Sequence, residues 1–171
     1  MTPSTRVSTE SPVLDIRELA VSYATAAGEV QAVRGFTLGV AAGECVGIVG
    51  ESGAGKSQAL LAVMGLLPPD ARVQGSARFE GRELIGAHPR ELDRVRGAGL
   101  SMIFQNPLLS LTPHLKIGDQ IAESLVRHTG LGWKAARKRA LQLLERVQIA
   151  DPQRRMKQYP HELSGGMRQR V

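Results

Sequence analysis

The segment Gly50-Glu51-Ser52-Gly53-Ala54-Gly55-Lys56-Ser57 fits the pattern G-x-x-x-x-G-K-[ST] and constrains this chain more than any other. Its glycines let the backbone curl so that consecutive N–H groups face an anion. The apolar run from Glu44 to Gly50 is patterned as a strand buried on both faces. The run from Gly55 to Leu67 carries Leu60, Val63, Met64 and Leu67 at helical spacing, and Pro68-Pro69-Asp70 is expected to end it. Strand, glycine loop and helix N-terminus in that order make a polyphosphate cradle, with the helix dipole adding positive potential. Lys56 is placed to reach the β- and γ-phosphates, and the Ser57 hydroxyl to bind Mg²⁺. The expected ligand is a nucleoside triphosphate.

The surrounding chain predicts an α/β protein. Val13 to Tyr23 and Val30 to Val40 are rich in Val, Leu and Ile with partial alternation, and the turn-like Ala26-Ala27-Gly28-Glu29 separates them, as in an antiparallel pair. Arg78 to Arg82 reads as a short strand and turn, Pro89 to Arg96 as a polar helix, and Leu100 to Gln105 as a second apolar strand stopped by Asn106-Pro107. From Ile117 the pattern is helical. Ile117, Ile121 and Leu125 define one face; Leu141, Leu144 and Gln148 define another, flanked by Leu143 and Val147. Asp151-Pro152 has the form of a helix start, and Ser164-Gly165-Gly166 precedes a further helix. The predicted organisation is a disordered tail over 1–12, a nucleotide-binding core over 13–110 and a helical part over 111–171.

Composition narrows the partners. The net charge of +6 is uneven: residues 1–126 hold 11 Lys+Arg against 13 Asp+Glu, and residues 127–171 hold 11 against 3. Nucleic-acid binders combine such charge with stacking aromatics. The basic segment offers only Trp133 and Tyr159, so a solvated helix face is preferred over a nucleic-acid surface. No apolar run approaches the ~20 residues of a membrane helix. The longest is Ala59 to Leu67, and Met1 to Arg6 lacks the apolar core of a secretory signal. The single cysteine, Cys45, cannot form an internal disulfide and is expected to be buried within its apolar run, which suits a reducing compartment.

Two later motifs join the loop: Met102-Ile103-Phe104-Gln105, and Leu163-Ser164-Gly165-Gly166. The three together, in this order, resemble the ATPase subunits of ATP-binding-cassette (ABC) transporters over Val13 to Val171. Gly50 to Gln58, Met102 to Pro107 and Tyr159 to Val171 are similar to the subfamily that powers dipeptide, oligopeptide and nickel import, and Gln58 after Ser57 resembles the oligopeptide branch. The resemblance implies a phosphate-loop NTPase fold, with a RecA-like core and antiparallel β subdomain, plus the ABC helical subdomain.

Several roles follow from that resemblance alone. Tyr23 resembles the aromatic that stacks on adenine. Gln105 resembles the glutamine that touches Mg²⁺ and the attacking water and senses the permease. Ser164, Gly165 and Gly166 resemble the signature that closes on ATP held by a second subunit in a head-to-tail dimer. The implied partners are integral-membrane permeases, contacted through Leu111 to Tyr159, and indirectly an extracytoplasmic solute-binding protein. The implied location is the cytoplasmic face of the plasma (inner) membrane. Met167 stands where many ABC subunits carry glutamine, and a thioether cannot supply that amide's hydrogen bonds. The family's Mg²⁺-binding acid on the Walker B strand, its catalytic glutamate and a histidine follow the signature. The chain is therefore expected to be the N-terminal portion of a longer subunit, inactive alone in hydrolysis. A nickel or other solute importer, a non-transport ABC ATPase, and a GTPase or nucleotide kinase are the competing readings. The Leu163 to Gly166 motif and Gln105 argue against the last of these.

Overall fold

The computed structural model describes residues 11–26, 28–105 and 110–171. Ala27 of the first turn, Asn106-Pro107 and most of the expected N-terminal tail lie outside the described residues. The chain divides into two compact units, Met1–Asp93 and Arg94–Val171.

The first unit is built on a four-stranded antiparallel sheet in the order β2-β1-β3-β4, with β1 at Leu14–Thr25, β2 at Gly28–Val40, β3 at Ala71–Phe79 and β4 at Arg82–Glu83. β1 is paired on both edges: Tyr23 lies opposite Val30 of β2 and opposite Ala71 of β3. The partial alternation of β1 has a specific cause. Its register slips between Ile16 and Leu19, where Glu18 takes a positive φ of 47°. Such a bulge adds one residue and restores the same face. Ile16, Leu19 and Val21 thus all point into the core with no exposed surface. Glu80 and Gly81, with φ of 48° and 78°, form the two-residue turn between β3 and β4, since a hairpin of this length favours positive φ at both positions.

Helix α1 (Lys56–Val63) lies against β1 and β2 and buries Ala59, Ala62 and Val63. It ends before Pro68-Pro69-Asp70. Gly65, at φ 60°, donates its N–H to the Ala62 carbonyl, while the Leu66 N–H reaches the Leu61 carbonyl. That pair of bonds closes the helix around a left-handed residue, so the glycine stops the helix and not the prolines. Helix α2 (Pro89–Val95) is largely polar, with Val95 buried and Leu92 half-buried.

Two predicted strands do not form. Glu44 to Gly50 and Ser101 to Phe104 have no strand or helix assignment, Val49 is 97% exposed and Ile103 is 91% exposed. A strand exists only through ladder partners. Among the described residues no segment pairs with Glu44 to Gly50, and near the second run only an isolated Arg96–Leu100 bridge occurs. Cys45, expected to be buried, is exposed for the same reason.

The second unit is helical. α3 (Ile117–Thr129) and α4 (Trp133–Arg146) pack together across the link Gly130-Leu131-Gly132, followed by α5 (Pro152–Arg155), a 3₁₀ turn at Pro160–Glu162 and α6 (Gly165–Arg170). Ile117 heads a buried cluster with Leu144, Ile149 and Leu163, and Ile121 packs against it. The α4 face differs from the one predicted. Ala136, Ala140 and Leu144 are buried at i, i+4 and i+8, whereas Gln148 is exposed. Alanines permit close approach of α3, and hydropathy favoured the larger leucines beside them.

Candidate functional site

The phosphate loop curls as its glycines allow. Gly53 and Gly55 take φ of 84° and 81°. At Gly55 the requirement is absolute, because a Cβ there would sit 2.2 Å from the Ala32 carbonyl oxygen of β2. Close backbone approach thus seats the loop on the sheet. Lys56 folds back into the curl, and its Nζ donates to the carbonyls of Gly50 and Glu51, both at 2.7 Å. Within the loop the Ala54 N–H bonds to the Glu51 carbonyl at 3.2 Å, while no partner holds the N–H groups of Gly53, Gly55, Lys56 or Ser57 among the described residues. Unpaired donors beside a lysine at a helix N-terminus are what an anion requires. Ser52 and Ser57 are exposed.

Tyr23 comes to this loop from the far end of β1. Its hydroxyl donates to Oε1 of Gln58, in the first turn of α1, at 2.6 Å across 35 positions of sequence. Burial pushes the Tyr23 phenol above its ordinary value, and the charge of Asp70 adds to this. The group is therefore a neutral donor at physiological pH. Sequence adjacency places Gln58 at the loop, but nothing in the spacing announces its bond to Tyr23.

Gln105 and the Ser164-Gly165-Gly166 turn belong to the second unit. Gln105 is exposed and outside any helix or strand. Ser164 caps α6, its Oγ accepting the Met167 N–H at 3.3 Å, and Gly165 and Gly166 form the exposed first turn. Met167 packs against the cluster of Ile117, Leu144, Ile149 and Leu163. At this position the thioether is a core contact. Arg170 fixes the turn from the other end of α6, donating through Nη1 to the carbonyls of Val147 and Gln148, at 3.4 and 2.7 Å. Among the described residues no group of three or more His, Cys, Asp or Glu is placed to hold a metal, and no helix is long and apolar enough to cross a membrane.

A glycine curl with a lysine folded into it, seated on an antiparallel sheet, defines a phosphate-loop cassette. The family model for ABC transporters matches residues 33–171, and this chain belongs to that family. The oligopeptide transport ATP-binding protein OppD of Mycobacterium tuberculosis is 51% identical over 162 residues, covering 94% of this chain and 26% of that protein. OppD of Salmonella typhimurium is 46% identical over 159 residues, 93% of this chain and 48% of its own length. The dipeptide transport ATP-binding protein DppD of Bacillus subtilis is 49% identical over 161 residues, again 93% and 48%. The chain thus spans about half the length of these relatives, or less. A dimeric ATP-binding cassette in a post-hydrolysis state, bound to ADP and Pi, superposes with a TM-score of 0.78 at 26% identity, over 92% of this chain and 66% of that one.

Proposed function

We propose that this chain is the nucleotide-binding portion of an ATPase subunit that energises an ABC importer of di- or oligopeptides. The observation that carries the reading is the phosphate loop, in which Lys56 Nζ sits between two carbonyls 2.7 Å away while neighbouring N–H groups lack partners. The peptide substrate rests on what the relatives' names say of those proteins.

In this reading the loop N–H groups and the N-terminus of α1 bind the phosphates, and Lys56 exchanges its two carbonyl partners for phosphate oxygens. Tyr23 stacks on the base. The Ser57 hydroxyl is the neutral donor the phosphate-loop unit offers magnesium, which fits an ion that keeps several waters and takes phosphate oxygens, and the family resemblance adds Gln105 to that role. Bound magnesium would neutralise charge on those phosphates. Ser164, Gly165 and Gly166 close on the nucleotide of a second ATPase subunit in a head-to-tail dimer. Residues 13–110 then serve as the nucleotide-binding core and residues 111–171 as the helical subdomain. Leu111 to Tyr159, entered at Gln105, faces the permeases at the cytoplasmic side of the membrane, and an extracytoplasmic solute-binding protein delivers the peptide.

Lys56→Ala tests the reading. Charge-assisted hydrogen bonds contribute ~1.5–3 kcal/mol, so ATP affinity should fall roughly 10- to 100-fold. Calorimetric titration with MgATP measures it, and an unchanged affinity would contradict the assignment. Uptake of labelled peptides by cells with and without the gene tests the substrate.

A further inference from the structure

We propose that Gln58 is a positioning residue for base recognition, its side-chain carbonyl fixing the Tyr23 ring beside the phosphate-loop helix. The inference rests on the reading of Tyr23 as the base-stacking aromatic. One hydrogen bond then ties the base side of the site to its phosphate side. Tyr23 lies near the end of β1, where backbone pairing with Val30 and Ala71 fixes its Cα but leaves two side-chain torsions to set the ring. The ring is half-buried, and its hydroxyl is its one polar atom. That hydroxyl is held at 2.6 Å by Gln58 Oε1. Gln58 is itself well placed to act as an anchor. It directly follows Lys56 and Ser57, and the next residue, Ala59, is 2% exposed against the core, so the turn bearing the amide cannot easily rotate. A ring fixed before the ligand arrives binds with less loss of side-chain entropy, and this benefit reaches only ligands that carry a base.

The test compares ATP with inorganic tripolyphosphate, which has the phosphates and no base, by calorimetric titration of the full chain. Tyr23→Phe keeps the ring and loses the donor. Gln58→Met keeps the volume and loses the acceptor, and Gln58→Asn keeps the amide but is too short to reach. Each should lower the ratio of ATP to tripolyphosphate affinity by about three- to tenfold, the worth of one net hydrogen bond. Tyr23→Phe combined with Gln58→Met should lower it no further than either alone, because both remove the same bond. A ratio unaltered in the Gln58 variants overturns the inference, as does a multiplicative loss in the double variant. Persisting tripolyphosphate binding shows that a variant is folded. A wild-type chain that binds neither ligand would overturn the nucleotide reading itself. A wild-type chain that prefers ATP, with Gln58 variants that prefer it equally, would overturn the positioning role alone.

Discussion

β1 and the segment Glu44 to Gly50 carry the same kinds of side chain and meet opposite fates. β1 has a ladder on each edge, and Ile16, Leu19 and Val21 are wholly buried. Glu44 to Gly50 offers Val46, Ile48 and Val49, yet has no ladder among the described residues, and Val49 stands 97% exposed. Hydrophobic pattern states what a segment would gain by burial, and neighbouring strands decide whether it is realised. The phosphate loop hangs from the less supported of the two, which makes its few fixed contacts to the sheet important.

The largest expected effect sharpens this contrast directly. Leu19→Ala empties a fully buried site in β1 and should destabilise the first unit by ~2–5 kcal/mol, transfer and cavity terms together. Val49→Ala, at an exposed site, should stay within about 0.5 kcal/mol of wild type. Urea unfolding followed by far-ultraviolet circular dichroism compares them. Equal losses at the two positions would mean that Val49 is as well buried in solution as Leu19, and the contrast between the regions would fall.

A second, smaller effect concerns how the loop is held. Gly55→Ala brings a Cβ to 2.2 Å from the Ala32 carbonyl at a φ of 81°. The backbone must move, at a cost of about 1–3 kcal/mol. Because the moving residue leads directly into α1, ATP affinity should fall about tenfold or more, as it does when positioned donors are displaced. Gly43→Ala is the matched control before the same segment. It has a φ of 73° and nothing within 4 Å, so it should cost only the ~1–2 kcal/mol of left-handed strain and leave nucleotide binding intact. Titration calorimetry with MgATP separates the two, and equal affinities would show that the contact with β2 does not seat the loop.

The sequence is legible where structure is local. The antiparallel pair of β1 and β2, the turn at Glu80-Gly81, α3, and the Ser164 cap each depend on residues close in the chain, and each forms as the pattern indicates. The phosphate-loop motif is legible too, because its glycines act through their own backbone and the Lys56 side chain bonds to carbonyls of the same loop. Reading fails where a distant partner decides. Glu44 to Gly50 and Leu100 to Gln105 needed neighbours that pattern cannot supply. The α4 face turned on Ala136 and Ala140, small residues that score weakly in hydropathy yet permit close helix packing. Gly65 ended α1 ahead of the prolines because a left-handed C-terminal turn acts before a missing N–H does. The Tyr23–Gln58 bond spans 35 positions and leaves no local trace.

The smallest expected effect is a pH dependence at the edge of the sheet, where β4 is held largely by one side chain. The Glu83 carboxylate accepts from the Ser76 hydroxyl, from the Ala77 N–H at 2.9 Å, from the Ile85 N–H at 3.1 Å and from Arg78 Nε at 3.4 Å. Burial is the largest single influence and pushes its pKa up, but the four hydrogen bonds to the ionised form together outweigh it and leave the value below the ordinary one. A group whose folded-state pKa is depressed contributes stability that is complete above its unfolded-state pKa, near about 4.3, and is lost as pH falls through the folded value. The wild-type melting temperature should therefore drop more steeply than that of Glu83→Gln as pH is lowered from about 5 to about 3. The difference should be modest, because the side chain is 39% exposed and water screens its interactions. Melting curves of the two proteins recorded across that range decide it. Parallel profiles would mean that the β3–β4 edge draws no stability from ionised Glu83.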